Sequence, residues 1–175
     1  MTAAASLPVT VRPEHAFDAA SVRTLLADAF GGRAEADLVD RLRTNDDLVL
    51  ALVAELAERG VVGHIGFPRL AVDAPSGGSA PAVGLAPLAV AIDLWHRGIG
   101  SVLVRRGLAL LAERGEQLVF VLGDTAYYGR FGFDAAAAAS FVSPYSGPHF
   151  MALRLAQTAP SDGTVRYPSA FADLG

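Results

Sequence analysis

Two short stretches hold residues whose types and spacing can do chemistry. The first is Arg97-Gly98-Ile99-Gly100-Ser101, inside "DLWHRGIGSVLVRRGLALLAERG", residues 93–115. It opens a long apolar-periodic run. The first amides of a helix lack intrahelical partners, and the helix dipole makes that end partly positive. Two glycines would let a bulky anion reach those amides, and Arg97 adds a permanent charge. A phosphate or pyrophosphate site is one reading. A tight turn whose glycines only allow close helix–sheet packing is the other, and the turn alone does not separate them. A dinucleotide fingerprint fails, because the third glycine of G-x-G-x-x-G would fall at Leu103. That motif also follows the first strand of its unit, and this one does not.

The second stretch is "GDTAYYGRFGF", Gly123 to Phe133. It reads as a short helix after a strand, with Asp124 placed to cap it. Tyr127 and Tyr128 point about 100° apart on such a helix, so only one faces a given cleft. Aromatic packing is the alternative role for each.

The elements that must hold these stretches follow from hydrophobic period. Leu7 to Arg12 reads as a first strand. Ala19 to Ala29 has helical spacing and stops at Gly31-Gly32, and Glu35 to Leu42 reads as a second helix. Leu48 to Ala54 and Val61 to Val72 form a hairpin joined at Ala57–Gly60. Residues 74–81 read as a loop, and Ala82 to Ile92 as a third long strand. The helix from Gly98 buries a stripe of Leu103, Val104, Gly107, Leu108 and Leu111 and stops at Gly115. Gln117 to Leu122 reads as a buried strand and Thr125 to Phe131 as the short helix. Phe141-Val142 and His149 to Leu155 are late strands. The run Ala135 to Ala139 reads as a small-residue strand or turn, and the tail from about residue 158 as irregular. The order is mixed α and β without regular alternation, an α+β class in one domain spanning 1–175.

Composition bounds the chemistry. The chain has 175 residues, 52% of them hydrophobic, which describes a globular protein rather than a disordered one. It has 0 cysteines, so thiolate zinc sites and cysteine nucleophiles are excluded. It has no lysine, which excludes Schiff-base chemistry and a Walker lysine. A formal net charge of −4 argues against a nucleic-acid partner. No apolar run reaches the roughly 20 residues that span a bilayer, and "MTAAASLPVT" has no leader pattern. The expectation is a cytoplasmic protein with no membrane partner. No His spacing suggests a metal site, so none is expected.

Taken together, "WHRGIG" (Trp95–Gly100) and "YGRFGF" (Tyr128–Phe133), one helix and one strand apart, resemble the paired motifs of the GNAT superfamily of acetyl-coenzyme A-dependent N-acetyltransferases. The resemblance in element order runs from about Val9 to Leu155. One position departs: Trp95 stands where the family carries Gln or Arg. The resemblance implies a central, mostly antiparallel twisted sheet with flanking helices and a splayed cofactor cleft. It implies that the amides of Arg97, Gly98, Ile99, Gly100 and Ser101 hold the pyrophosphate of acetyl-coenzyme A. Leu88, Ala89 and Val90 would bond the pantetheine arm through main-chain groups, with Pro87 fitting a local bulge. An amine acceptor, on a small molecule or a peptide, would attack the thioester directly, and Tyr128 would be the acid for the leaving thiolate. From reference values of about 10 for tyrosine and about 8.5 for a thiol, that transfer is uphill by roughly 2 kcal/mol.

The base is unassigned. His64 in "VVGHIGF" faces either the cleft or the core, and Glu35 and Asp37 lie near the acceptor mouth or on a solvated face. The acceptor itself stays open, and the reading admits a homodimer. A module of the same fold that senses acetyl-coenzyme A without turnover is the alternative function.

Overall fold

The computed structural model describes residues 7–174. Residues 1–6, part of the segment read above for a leader, lie outside the described residues. Strand β1 (Thr10–Pro13) is followed by helices α1 (Ala19–Phe30) and α2 (Ala34–Thr44). Then come β2 (Leu48–Leu56), β3 (Gly60–Asp73), β4 (Ser79–Gly84) and β5 (Leu88–Val90). Helix α3 (Ile99–Glu113), β6 (Leu118–Leu122) and α4 (Thr125–Gly129) follow. The chain closes with α5 (Ala135–Ala138), β7 (Phe141–Val142), β8 (Phe150–Arg154) and β9 (Gly163–Arg166). The class is the mixed, mostly antiparallel α+β one expected.

The spine is β3. Along one edge it pairs antiparallel with β2 and then β9, and along the other with β5 and then β4. β4 passes parallel to β6, which pairs antiparallel with β8. The stretch Ala82 to Ile92, expected to be one long strand, is therefore two strands with a break at Leu85–Pro87. Leu85 N–H bonds Phe120 C=O at 2.9 Å, but Ala86 N–H bonds Gly66 C=O at 3.0 Å. The chain changes partner between two neighbouring residues. Proline at 87 has no N–H to continue a ladder, which suits a break. The absent side chain at Gly66 suits it too, since a Cβ there would lie 2.9 Å from the Ala86 carbonyl oxygen.

Three other expectations change. Residues 79–81 join β4 instead of the loop. The alanine run is a short helix, because Asp134 accepts the Ala136 N–H and caps it. The tail is ordered: β9 pairs with β3 and β7, and a 3-10 turn at Ser169–Asp173 sets Ala170 and Phe171 against Leu38 and Leu42 of α2. Val165, Ala170 and Phe171 are the apolar positions that drive it.

Two layers cover the sheet. On one face α1 and α2 bury Val22, Leu25, Leu26 and Val39. On the other α3 buries the predicted stripe, with Leu103 and Leu111 fully enclosed. Each such side chain stabilises the fold by about 1.5–3 kcal/mol. Gly107 is where α3 meets the sheet most tightly, since a Cβ there would lie 2.4 Å from the ring of the fully buried Phe67. Gly107→Ala should lower the melting temperature by about 2–6 °C, overpacking outweighing the ~1 kcal/mol gain in helix propensity. Adding Phe67→Leu should recover part of the loss; a melting temperature that rises in the single variant would contradict this packing.

Candidate active site

The break at Leu85–Pro87 opens the sheet. β5 stays on β3 while β6 runs on to Leu122 beside β8, so nothing pairs with β5 on its other edge among the described residues. Ladder bonds alternate along an antiparallel pair. Gly66 N–H to Pro87 C=O and Ala91 N–H to Val62 C=O put residues 87, 89 and 91 on the β3 side. The main-chain groups of Leu88 and Val90 therefore face the gap, and those of Ala89 do not. Trp95, the residue at the departing motif position, donates its indole N–H to the Val90 carbonyl at 2.8 Å. That bond fastens the end of β5 to the turn that follows, and it occupies one acceptor of the gap edge.

A cleft of about 720 Å³ lies over this edge. Leu88, Ala89, Val90, Trp95, His96 and the α3 turn line one side, with Tyr127 and Arg130 opposite. Helix α3 begins with Gly98 as N-cap at φ 84°, and Val102 N–H makes the first bond back to Gly98 C=O. The amides of Ile99, Gly100 and Ser101 precede that bond and point into the cleft end of a 15-residue helix. His96 also has positive φ, 61°. Such a conformation is costly for a residue with a Cβ and collects at functional sites. Successive amides in turns of this kind form a concave donor set for anions.

The two glycines do different work. Gly98 has open space beside it and is needed for its backbone angle. A Cβ at Gly100 would lie 2.7 Å from the Tyr127 hydroxyl. Tyr127 thus reaches across to the turn, and Arg130 stacks over it at 4.5 Å and comes within 3.4 Å of the Ser101 hydroxyl. From the sequence, Tyr127 is weighed against Tyr128 without a place at the turn, and Arg130 is not singled out, although that residue lies inside the second motif. Arg97 is exposed and its side chain does not line the cleft. Its charge falls near Asp93, whose carboxyl is held low first by a hydrogen bond from Arg59 and also by Arg97.

Tyr128 faces a second cavity of about 400 Å³ that shares Phe30 and Leu88 with the first. Its ring lies against Gly123, where a Cβ would come within 2.6 Å, and packs edge-on to Phe133 at 5.9 Å. Burial, and then Tyr127, pushes its hydroxyl up to about 12. The two tyrosines thus face two joined cavities, as their angular offset on the helix requires.

The family model for the acetyltransferase (GNAT) domain matches residues 10–136. The chain belongs to the GNAT acetyltransferase family. It is 38% identical over 165 residues to the uncharacterized N-acetyltransferase YhbS of Escherichia coli, covering 92% of this chain and 97% of that protein. The crystal structure of YhbS in complex with CoA superposes with a TM-score of 0.87, covering 100% of this chain and 98% of that one. A GNAT acetyltransferase from Brucella melitensis in complex with acetyl-CoA matches with a TM-score of 0.79 at 34% identity, covering 93% of this chain and 97% of that one. This GNAT protein is an N-acetyltransferase by fold and kinship.

The three base candidates separate. Asp37 is held low by its hydrogen bond from Arg23 at 2.6 Å, on the outer face of α2. Glu35 lines the second cavity. His64 faces the α1–α2 side, fully buried, with neither ring nitrogen hydrogen-bonded. Glu14 is 3.7 Å from its Nε2, but that carboxylate already accepts from Arg43 at 2.6 Å. Burial, with the Arg43 charge behind it, pushes the imidazole down to about 3. His64 is neutral throughout the working range and lines neither cavity, although it pairs with Ala89 of the cleft wall. Among the described residues no group of three or more His, Asp or Glu could hold a metal ion, and no helix is long and apolar enough to cross a membrane.

The depressed His64 value has a consequence for stability. The unfolded imidazole binds its proton near pH 6.5 and the folded one only near 3, so stability falls as pH drops through that window. Most carboxylates titrate lower. From about pH 6.5 to about 4.5 the loss of melting temperature should be largely abolished in His64→Leu. An equal loss in the variant would mean that the imidazole accepts its proton in place.

Proposed function

We propose that the protein transfers an acetyl group from acetyl-coenzyme A to an amine by direct attack, with the cofactor in the larger cleft and the acceptor in the smaller one. The observation that carries this is the gap beside β5, where an anion-accepting helix N-terminus opens next to a second cavity that shares Leu88 and Phe30 with the first and is lined by Tyr128. The complexes of YhbS with CoA and of the Brucella melitensis protein with acetyl-CoA support the choice of donor.

In this reading the amides of Gly98, Ile99, Gly100 and Ser101 take the pyrophosphate. Arg130, which lines the cleft and reaches the Ser101 hydroxyl, adds the side-chain charge. Leu88 and Val90 present main-chain groups to the pantetheine arm, and Ala89 supplies only its contact surface. The amine nitrogen forms the bond to the thioester carbonyl, the C–S bond breaks, and the sulfur leaves as thiolate. With no cysteine in the chain, no acyl-cysteine intermediate intervenes.

Tyr128 acts on the leaving sulfur. At a value of about 12 its hydroxyl keeps its proton at every working pH, so it is always a donor. Full transfer to a thiolate is then uphill by roughly 5 kcal/mol, more than the reference values gave. Hydrogen bonding to the developing charge is the better description than complete proton transfer. Tyr128→Phe should lower kcat about a hundredfold, the low end for lost acid catalysis, without changing the acetyl-coenzyme A-induced thermal shift. Tyr127→Phe should change the KM for acetyl-coenzyme A by a few-fold and leave kcat near its original value. The kcat profile should show no falling limb below about pH 10. A kcat that depends on Tyr127 and ignores Tyr128 would remove the acid from this site.

A further inference from the structure

The smaller cavity has a composition that selects among amines. Its inner wall is Leu85, Phe120 and Val121, and its far wall is Tyr145, Tyr167 and Phe171. Those three rings run edge to face, with centroids 4.9 and 5.1 Å apart. Burial pushes the hydroxyls of Tyr145 and Tyr167 up, so both are neutral. The far wall exists because the tail is ordered: Tyr167 follows β9 and Phe171 sits in the 3-10 turn that packs on α2.

Glu35 is the one charged side chain among the residues that line this space. It is half-buried on the first turn of α2, and among the described residues it makes no ion pair. Its helix neighbours Asp37 and Asp40 are both engaged by Arg23, and Glu35 is left facing the cavity. Position also matters. Leu38, three residues on and therefore on the same helix face, packs against Ala170 and Phe171 of the tail. Phe30, at the end of α1 and just before the turn into α2, lines both cavities. Glu35 thus lies between the shared wall, where the thioester would sit in the reading above, and the aromatic far wall.

We infer that the acceptor is a primary monoamine on an aromatic or branched apolar body, with its ammonium paired to Glu35 and its body against Tyr145, Tyr167 and Phe171. The inference rests on the acetyl-transfer reading and names the substrate class of that site. A polyamine would bring several ammonium groups to a wall with one carboxylate, and each further charge would lose water without a partner. An amino sugar would set its hydroxyls against aliphatic and aromatic faces. An α-amino acid would place its own carboxylate near Glu35. One ammonium and one apolar body match one carboxylate and one aromatic wall. In the reaction the ammonium gives one proton to solvent. The nitrogen then gains the acetyl carbon, the C–S bond breaks, the second proton of the nitrogen goes to solvent, and coenzyme A departs as the thiolate, which takes up a proton from solvent.

The test uses the full chain, acetyl-coenzyme A and three probe amines: 2-phenylethylamine, spermidine and glucosamine. Thermal shift with acetyl-coenzyme A alone comes first, then thiol release with each amine. The expected kcat/KM for 2-phenylethylamine is at least about tenfold above the other two. Glu35→Gln should raise the KM for 2-phenylethylamine about tenfold, lower kcat far less, and leave the acetyl-coenzyme A shift as it was. If acetyl-coenzyme A stabilises the protein but spermidine or glucosamine is preferred, or 2-phenylethylamine is not acetylated, the acceptor class is wrong and the cofactor reading stands. An unchanged KM in Glu35→Gln overturns the ion pair. Absence of any shift with acetyl-coenzyme A overturns the acetyl-transfer reading, and this inference with it.

Discussion

The site depends on one change of hydrogen-bond partner. At Leu85 the chain still bonds to β6; at Ala86 it bonds to β3. Two residues of the sequence make that exchange feasible: Pro87, which offers no N–H, and Gly66, which leaves room for the Ala86 carbonyl. Without the break β5 would continue beside β6 and its outer edge would be satisfied. With it, the main-chain groups of Leu88 and Val90 face an opening, and the N-terminus of α3 ends at that same opening. Unpaired strand edges are usually covered or blunted. Here the edge is placed where a ligand would complete it, and Trp95 holds its end in position.

The two cavities that meet at the break make opposite electrostatic demands. The larger one offers helix amides and Arg130, a set suited to negative charge. The smaller one is aromatic and aliphatic with a single carboxylate. Leu88 and Phe30 stand between them, so a reacting carbonyl at the boundary would have the helix amides and Arg130 behind it and a largely apolar space ahead. A low-dielectric surrounding keeps Tyr128 protonated and strengthens each hydrogen bond made at that point.

Much of this arrangement was legible in the residues, and the misses have physical causes. The α3 stripe was readable because a 3.6-residue period on one long amphipathic helix repeats its signal several times. The glycine turn and the tyrosine pair were readable as motifs. The break inside Ala82 to Ile92 was not, because a buried apolar run looks the same whether it pairs with one neighbour or changes neighbours halfway. Gly100 was read as room for an anion, and the room is taken by Tyr127, a contact 27 residues away that no local pattern records. The tail reads as irregular because it contains Pro and Gly and shows no clear hydrophobic period. Its order comes from tertiary partners, β3 and α2, which supply what its own propensities lack. Composition hid the far wall of the smaller cavity for the same reason.

Main-chain amides, rather than a particular side chain, are what this account relies on to hold the cofactor. Amide hydrogen exchange read residue by residue, with and without coenzyme A, tests that most directly. Exchange should slow at Ile99, Gly100 and Ser101 and at Leu88 and Val90, and stay unchanged at Ala89, whose amide is already paired to β3. Binding of coenzyme A that leaves the α3 turn and β5 exchanging as before would contradict the account.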